Sequence, residues 1–163
     1  QWCLMILLSL DQALNTTGWA IFDNNKLIEN DSFNIKATTP IEVRLGSFWK
    51  KLNSLYEKYN FDYLVFEDIQ NQNNNETYKK LAYCQATIYL WCYFKEIKCS
   101  VMAPSHWRSV LDYSFGRKRE EQKKAAMNLV KEKCGLSVSS DEADAICIGL
   151  AYLQETSKNK SAF

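Results

Sequence analysis

The chain has 163 residues, 47% of them apolar and 13% aromatic, which excludes a disordered protein and predicts one domain with a core of its own over residues 1–163. A net charge of +1 neither argues for a nucleic-acid partner nor excludes one. The charge is uneven, however: seven Lys and Arg against three Glu between Arg117 and Lys133 make a local excess of +4, leaving −3 elsewhere.

In chain order, a first strand is predicted at about residues 3–11, where Ile6-Leu7-Leu8-Ser9-Leu10 reads as buried on both faces and runs directly into Asp11. A second strand follows at 17–23 and a third at 26–36, with FDNNKL as the turn between them. Pro40 then opens an amphipathic helix with Ile41, Leu45, Phe48, Leu52 and Leu55 at helical spacing. DYLVFED (62–68) is a fourth, apolar strand that again ends in acids, and after the polar loop QNQNNN a helix spans ETYKKLAYCQATIYLWCYF. IKCSVMAP is a fifth strand, stopped by Pro104. SHWRSVLDY is a short helix, residues 117–133 form a basic one, and LSVSSDEADAICIGLAYLQ closes the chain as a helix. A three-strand meander followed by alternating helices and strands predicts an α/β fold, a mixed sheet with helices on its faces. Strand-end acids then gather at one edge of that sheet, where open α/β folds bind ligands.

Four acids stand out: Asp11, Glu67, Asp141 and Asp144. A carboxylate beside a buried strand is costly unless it is paired or binds a metal. Alternation sends Glu67 and Asp68 to opposite faces, so only one of them faces a shared site, and Glu67 has Tyr63 and Val65 on its side. Asp141 and Asp144 are three apart and share a helix face. Ser139 and Glu142 fit a capping box, which offers Asp141 a purely structural role, since an acid in a first turn complements the helix dipole. Asp144 lies deeper and precedes AICIGLA, small enough to pack close on a sheet. Carboxylate oxygens suit Mg²⁺ or Mn²⁺, no His/Cys cluster points to zinc, and a divalent cation relieves repulsion among gathered acids. Asp11 is therefore expected to be a metal ligand.

The six cysteines, Cys3, Cys84, Cys92, Cys99, Cys134 and Cys147, form no C-x-x-C pair and sit in apolar runs, as reduced thiols of a cytoplasmic protein do. The N-terminal apolar run of about 8 residues falls far short of the ~18 that a membrane span needs. It also lacks the basic region and cleavage site of a secretory leader. The chain opens on Gln1 rather than Met, which leaves its native start open.

LSLDQALNTTGWAIF, YLVFEDIQ and SSDEADAICIGLAY resemble the three acidic motifs of the RuvC-type Holliday junction resolvases, in the RNase H-like nuclease superfamily. The resemblance runs from about residue 5 to 155 in the family's order, and the final D-x-x-D-A block is its most specific part. It implies an RNase H-like, five-stranded mixed sheet with helices on both faces, a homodimer, and hydrolysis of branched DNA with two Mg²⁺ or Mn²⁺ ions and no organic cofactor. Asp11, Glu67, Asp141 and Asp144 then become the catalytic, metal-binding acids. FGRKREEQKKAAM resembles the family's basic segment, which makes Arg117, Lys118, Arg119, Lys123 and Lys124 DNA-phosphate contacts and leaves no single catalytic lysine identified. The implied setting is bacterial cytoplasm or a phage-infected cell.

Departures from the family pattern shape the expectations further. The loop after Glu67 is DIQNQNNN, without the aromatic that helps such enzymes open a junction. The chain is therefore expected to cut three-way junctions and forks about as well as four-way ones, with Tyr78 or Trp107 as the fallback for unstacking. Asp11 is followed by Gln-Ala-Leu in place of Pro-Gly. His106 is expected to be an ordinary surface or hydrogen-bonded histidine. Two other classes compete. An actin- or hexokinase-like phosphotransferase needs clustered glycines and two domains, whereas this chain has five scattered glycines. A catalytically inactive branched-DNA-binding module of the same fold is opposed by the intact acids.

Overall fold

A computed structural model describes residues 5–13, 15–71 and 73–160. Cys3 and Leu4 of the expected first strand, the thiol expected at Cys3, and Gln72 of the polar loop lie outside the described residues. The elements run β1 (Ile6–Asp11), β2 (Thr16–Asp23), β3 (Lys26–Asn34), α1 (Ile41–Tyr59), β4 (Tyr63–Glu67), α2 (Asn75–Lys95), β5 (Lys98–Met102), α3 (Pro104–Leu111), α4 (Arg119–Cys134) and α5 (Ser140–Lys160). The sheet has the order β3-β2-β1-β4-β5. β1, β2 and β3 form the antiparallel meander, and β4 and β5 add to β1 in parallel.

Alternation along the strands builds two apolar layers. Leu8, Leu10, Trp19, Ile21, Leu64 and Phe66 meet α1 and α2 on one face. Leu7, Ala20, Phe22, Val65 and Met102 meet α3, α4 and α5 on the other. The β2–β3 turn places Asn24 and Asn25 at φ 48° and 70°, a conformation that asparagine tolerates better than most residues. Several boundaries need adjustment, α4 starting at Arg119 rather than 117 and α5 at Ser140 rather than 136. β3 ends at Asn34 rather than 36, and Pro104 does more than stop a strand, because it occupies the first turn of α3, where its fixed φ and missing N–H are harmless.

The tightest packing is between α5 and the strands β1 and β2. Ser9, fully buried, donates from Oγ to the Ala145 carbonyl at 2.7 Å and so ties helix to strand. A Cβ on Gly149 would overlap the Phe22 ring, so only glycine lets α5 come this close. Cys84, Cys92 and Cys147 are buried and Cys99 and Cys134 half-buried, all as free thiols. Among the described residues no helix is long and apolar enough to cross a membrane.

Candidate active site

β1 and β4 lie side by side with Leu10 opposite Phe66, so Asp11 and Glu67 come next to each other at the ends of neighbouring strands. Both leave the sheet on the α5 side, the face of Leu7, Ser9 and Val65. Asp68 points the other way and its Oδ1 accepts from Gln85 Nε2 of α2 at 3.1 Å, as alternation requires.

The start of α5 is brought to these two acids by a glycine. Gly18 stands opposite Asp11 in the antiparallel ladder, and a Cβ there would overlap the carbonyl carbon and oxygen of Asp141. The first turn of α5 therefore rests on bare backbone beside Asp11. Ser139 caps that turn: its Oγ accepts from Glu142 N at 3.3 Å, and Glu142 Oε2 accepts from Ser139 N at 3.1 Å. Glu142 Oε1 also accepts from Asn30 Nδ2 of β3 at 2.9 Å. Asp141 and Asp144 are thus carried to the sheet edge by a helix start fixed at three points.

The electrostatics show how closely the four acids are associated. Burial, then the charges of Glu67, Asp144 and Asp141, push the Asp11 carboxyl well above its ordinary range, while the Arg108 guanidinium pulls it back. Burial also raises Glu67, against the hydrogen bond from Trp107 and the charge of Arg108. Asp144 is pushed up to about 7 by burial and by Glu67 and Asp141, with Arg108 and Lys123 opposing.

The basic segment divides. Lys123 is half-buried and acts on Asp144, whereas Arg117, Lys118, Arg119 and Lys124 are exposed around the start of α4. Glu121 shapes that start, because its Oε2 accepts from the backbone N–H groups of Arg117 and Lys118, both at 3.0 Å.

Sequence reasoning missed the roles of four residues. Arg108 is the cation felt by Asp11, Glu67 and Asp144 alike, and its Nε is buried without a hydrogen-bond partner. Trp107 donates from Nε1 to Glu67 Oε2 at 2.7 Å. Gln12, 7% exposed, donates from Nε2 to the Glu67 carbonyl. Gly18 carried a readable signal, a glycine inside a strand pattern, which marks close approach of another backbone. Trp107 is fully buried, so it is not the unstacking residue held in reserve, while Tyr78 is 40% exposed near the start of α2. In the polar loop, Asn74 Oδ1 accepts from Glu76 N and Thr77 N at 3.0 and 3.3 Å as a helix cap, and Asn75 is already helical. The free amides among the described loop residues are therefore Gln70, Asn71 and Asn73, all exposed. His106 is exposed and pairs with Glu155 at 2.9 Å, an ordinary surface contact.

Carboxylate oxygens gathered in this way are the donor type that a hard divalent cation prefers. Among the described residues no three His, Cys, Asp or Glu side chains stand together as a ready-made metal cage. The residues present fit such an ion in type.

A family model described as crossover junction endodeoxyribonuclease RuvC matches residues 7–152. The RuvC of Dictyoglomus thermophilum is 27% identical over 158 residues, 93% of this chain and 99% of its own length. Among solved structures, T. thermophilus RuvC in complex with Holliday junction substrate superposes with a TM-score of 0.79 at 14% identity, covering 94% of this chain and 96% of that one. Fowlpox virus resolvase, solved with substrate Holliday junction DNA, gives a TM-score of 0.58 at 20% identity, covering 93% and 98%.

Proposed function

The chain belongs to the RuvC family of crossover junction endodeoxyribonucleases, and from that premise we propose that it is a metal-dependent, structure-selective endonuclease that cuts Holliday junctions and more open branches, as a homodimer, by phosphodiester hydrolysis with two Mg²⁺ or Mn²⁺ ions. The observation that carries this reading is the gathering of Asp11, Glu67, Asp141 and Asp144 at one sheet edge, where Asp11 feels the other three. Family membership and the retention of all four acids leave the inactive-module reading without support.

In this reading the four carboxylates would hold the ions, and the chemistry such ions would supply is Lewis-acid, activation of a water and stabilisation of a leaving 3′-oxygen. The protein's own part is placement and charge. Gly18 and the Ser139 cap set the height of α5 over the sheet. Arg108, half-buried and acting on three of the acids, limits their repulsion before DNA arrives. Arg117, Lys118, Arg119 and Lys124 face solvent, where phosphates can reach them, and Lys123 sits between that surface and Asp144. The homodimer is supported by an apolar stripe on α2, where Tyr83, Leu90, Tyr93 and Phe94 are 38%, 54%, 76% and 67% exposed. A contiguous exposed stripe of this kind marks an association surface.

The decisive test is single-turnover cleavage of a labelled four-way junction, a fork and a linear duplex, each with Mg²⁺ and with excess chelator. Junction and fork are expected to be cut at comparable rates with Mg²⁺, the linear duplex poorly, and nothing in chelator. The loop of free amides stacks poorly, whereas base–aromatic stacking is worth about 1–3 kcal/mol per base, so DNA already open at the branch is favoured. Full activity in chelator sinks the metal reading, and a hundredfold preference for the four-way junction sinks the loop argument.

A second expectation concerns the surface cations. Replacing Arg117, Lys118 and Arg119 together by Ala should weaken every DNA shape alike, because phosphate contacts position DNA without reading it. In a binding titration on duplex, the slope of log K against log salt should become shallower by about 0.9 per lost contact. An unchanged slope would return the cluster to a solvated surface.

A further inference from the structure

Trp107 sits where an indole N–H is valuable. β5 ends at Met102, the register partner of Glu67, and after Ala103 the chain turns straight into α3 with Pro104 in its first turn. One turn later the Trp107 ring lies beneath Glu67, fully buried, and its Nε1 reaches Glu67 Oε2 at 2.7 Å. The ring cannot swing with the carboxylate. Phe115 holds it edge-on at 5.3 Å between centroids, and the Arg108 guanidinium lies over it at 4.7 Å. From the other side, Gln12 fixes the Glu67 backbone by donating to its carbonyl.

A glutamate side chain has three rotatable bonds and two oxygens, so it can meet an ion through either oxygen, through both, or not at all. A rigid donor on Oε2 removes most of that freedom and leaves Oε1 free to coordinate. Such outer partners of carboxylate ligands hold them in orientation and raise affinity. We propose that Trp107 is a positioning residue for Glu67, presenting its carboxylate through Oε1 to the divalent ion. This rests on the metal-centre reading above. Trp107 itself touches neither ion nor DNA.

The test reads ion binding rather than cleavage. Mn²⁺ is titrated into the full-length protein without DNA, with the free ion followed by electron paramagnetic resonance and the heat by calorimetry. Four proteins are compared: wild type, Trp107→Phe, Glu67→Gln and Trp91→Phe. Trp91 is the matched control, a fully buried indole on the opposite layer whose Nε1 donates to Asn53 Oδ1 at 2.9 Å. Trp107→Phe is expected to weaken Mn²⁺ about tenfold, within the ~10–100-fold typical of outer-partner loss. Glu67→Gln should weaken it at least as much, and Trp91→Phe should match wild type despite a similar loss of stability. If Trp107→Phe proves unfolded, site-specific replacement of Trp107 by benzothienylalanine exchanges only N–H for sulfur and should show the same loss. Wild-type Mn²⁺ affinity in either Trp107 variant, with Glu67→Gln weakened, overturns the positioning role and leaves the metal centre standing. Absence of saturable Mn²⁺ binding in wild type overturns both.

Discussion

Asp144→Asn is expected to yield a protein that is more stable in chelator and cuts at least about a hundredfold more slowly than wild type. Asparagine keeps the shape and removes the charge, which separates the two effects. Loss of activity follows from the place of Asp144 among the acids, where a direct ligand should matter at least as much as the outer partners whose loss reaches ~100-fold. The gain in stability follows from linkage. The folded carboxyl titrates at about 7, raised first by burial and then by Glu67 and Asp141, against an ordinary value of 3.8 in the unfolded chain. Below pH ~4 both states hold the proton. As pH rises toward 7 the unfolded chain releases it and the folded one retains it, so wild-type stability falls across that window. Each pH unit of displacement is worth about 1.4 kcal/mol, and with relaxation of the site a benefit on the order of 2 kcal/mol for Asp144→Asn at pH 8 is a reasonable scale. Urea midpoints in chelator at pH 4, pH 6 and pH 8 check this: the two proteins should lie closest at pH 4 and separate progressively to pH 8. Asp11 and Glu67 titrate in the same direction, so the decline becomes shallower in the variant without vanishing. Added Mg²⁺ should stabilise wild type more than the variant. Equal midpoints together with full cleavage would take Asp144 out of the site.

Gly18→Ala should be the most damaging substitution that removes no functional group. The added methyl would overlap the Asp141 carbonyl, which belongs to a helix backbone and cannot rotate away. Relief requires lifting the start of α5, and with it Asp141 and Asp144, from the sheet edge that carries Asp11 and Glu67. Overpacking of this kind costs about 3 kcal/mol, or roughly 6–12 °C in Tm for a chain of this size. A displacement of about 1 Å among reacting groups lowers activity on the order of a hundredfold. Gly46→Ala is the control, because no atom lies within 4 Å of its Cβ position on α1. In a helix that change should be neutral or stabilising by up to ~1 kcal/mol. Thermal unfolding and junction cleavage on both variants decide the matter, and a Gly18→Ala protein that melts and cuts like wild type would refute the close approach as the organiser of the site.

Much of this architecture is written locally. The apolar runs that end in Asp11 and Glu67, the parity that turns Glu67 toward the site and Asp68 toward α2, and the capping pair Ser139 and Glu142 follow from periods of two and 3.6 residues. These are properties of neighbouring residues, and the folded chain keeps them because both faces of the sheet are covered. The sequence therefore determined the element order and the fold class, and it singled out the four acids as candidates. It was weaker wherever a side chain had two local uses. Asn74 reads as a loop amide but caps α2, and Pro104 reads as a strand stop but opens α3.

Only the tertiary structure decided what surrounds the acids. Trp107 and Arg108 are forty residues from Glu67 and nearly a hundred from Asp11, and no periodicity links positions so far apart. They reach the site because β5 lies beside β4 and α3 turns back from its end over the same face. The height of α5 above β1 and β2 was likewise set by absent atoms, the missing Cβ groups of Gly18 and Gly149. Local pattern specifies which face a residue takes. Distance between elements is fixed by the packing of side chains from both, and it is that distance that turns four separate carboxylates into one interacting set.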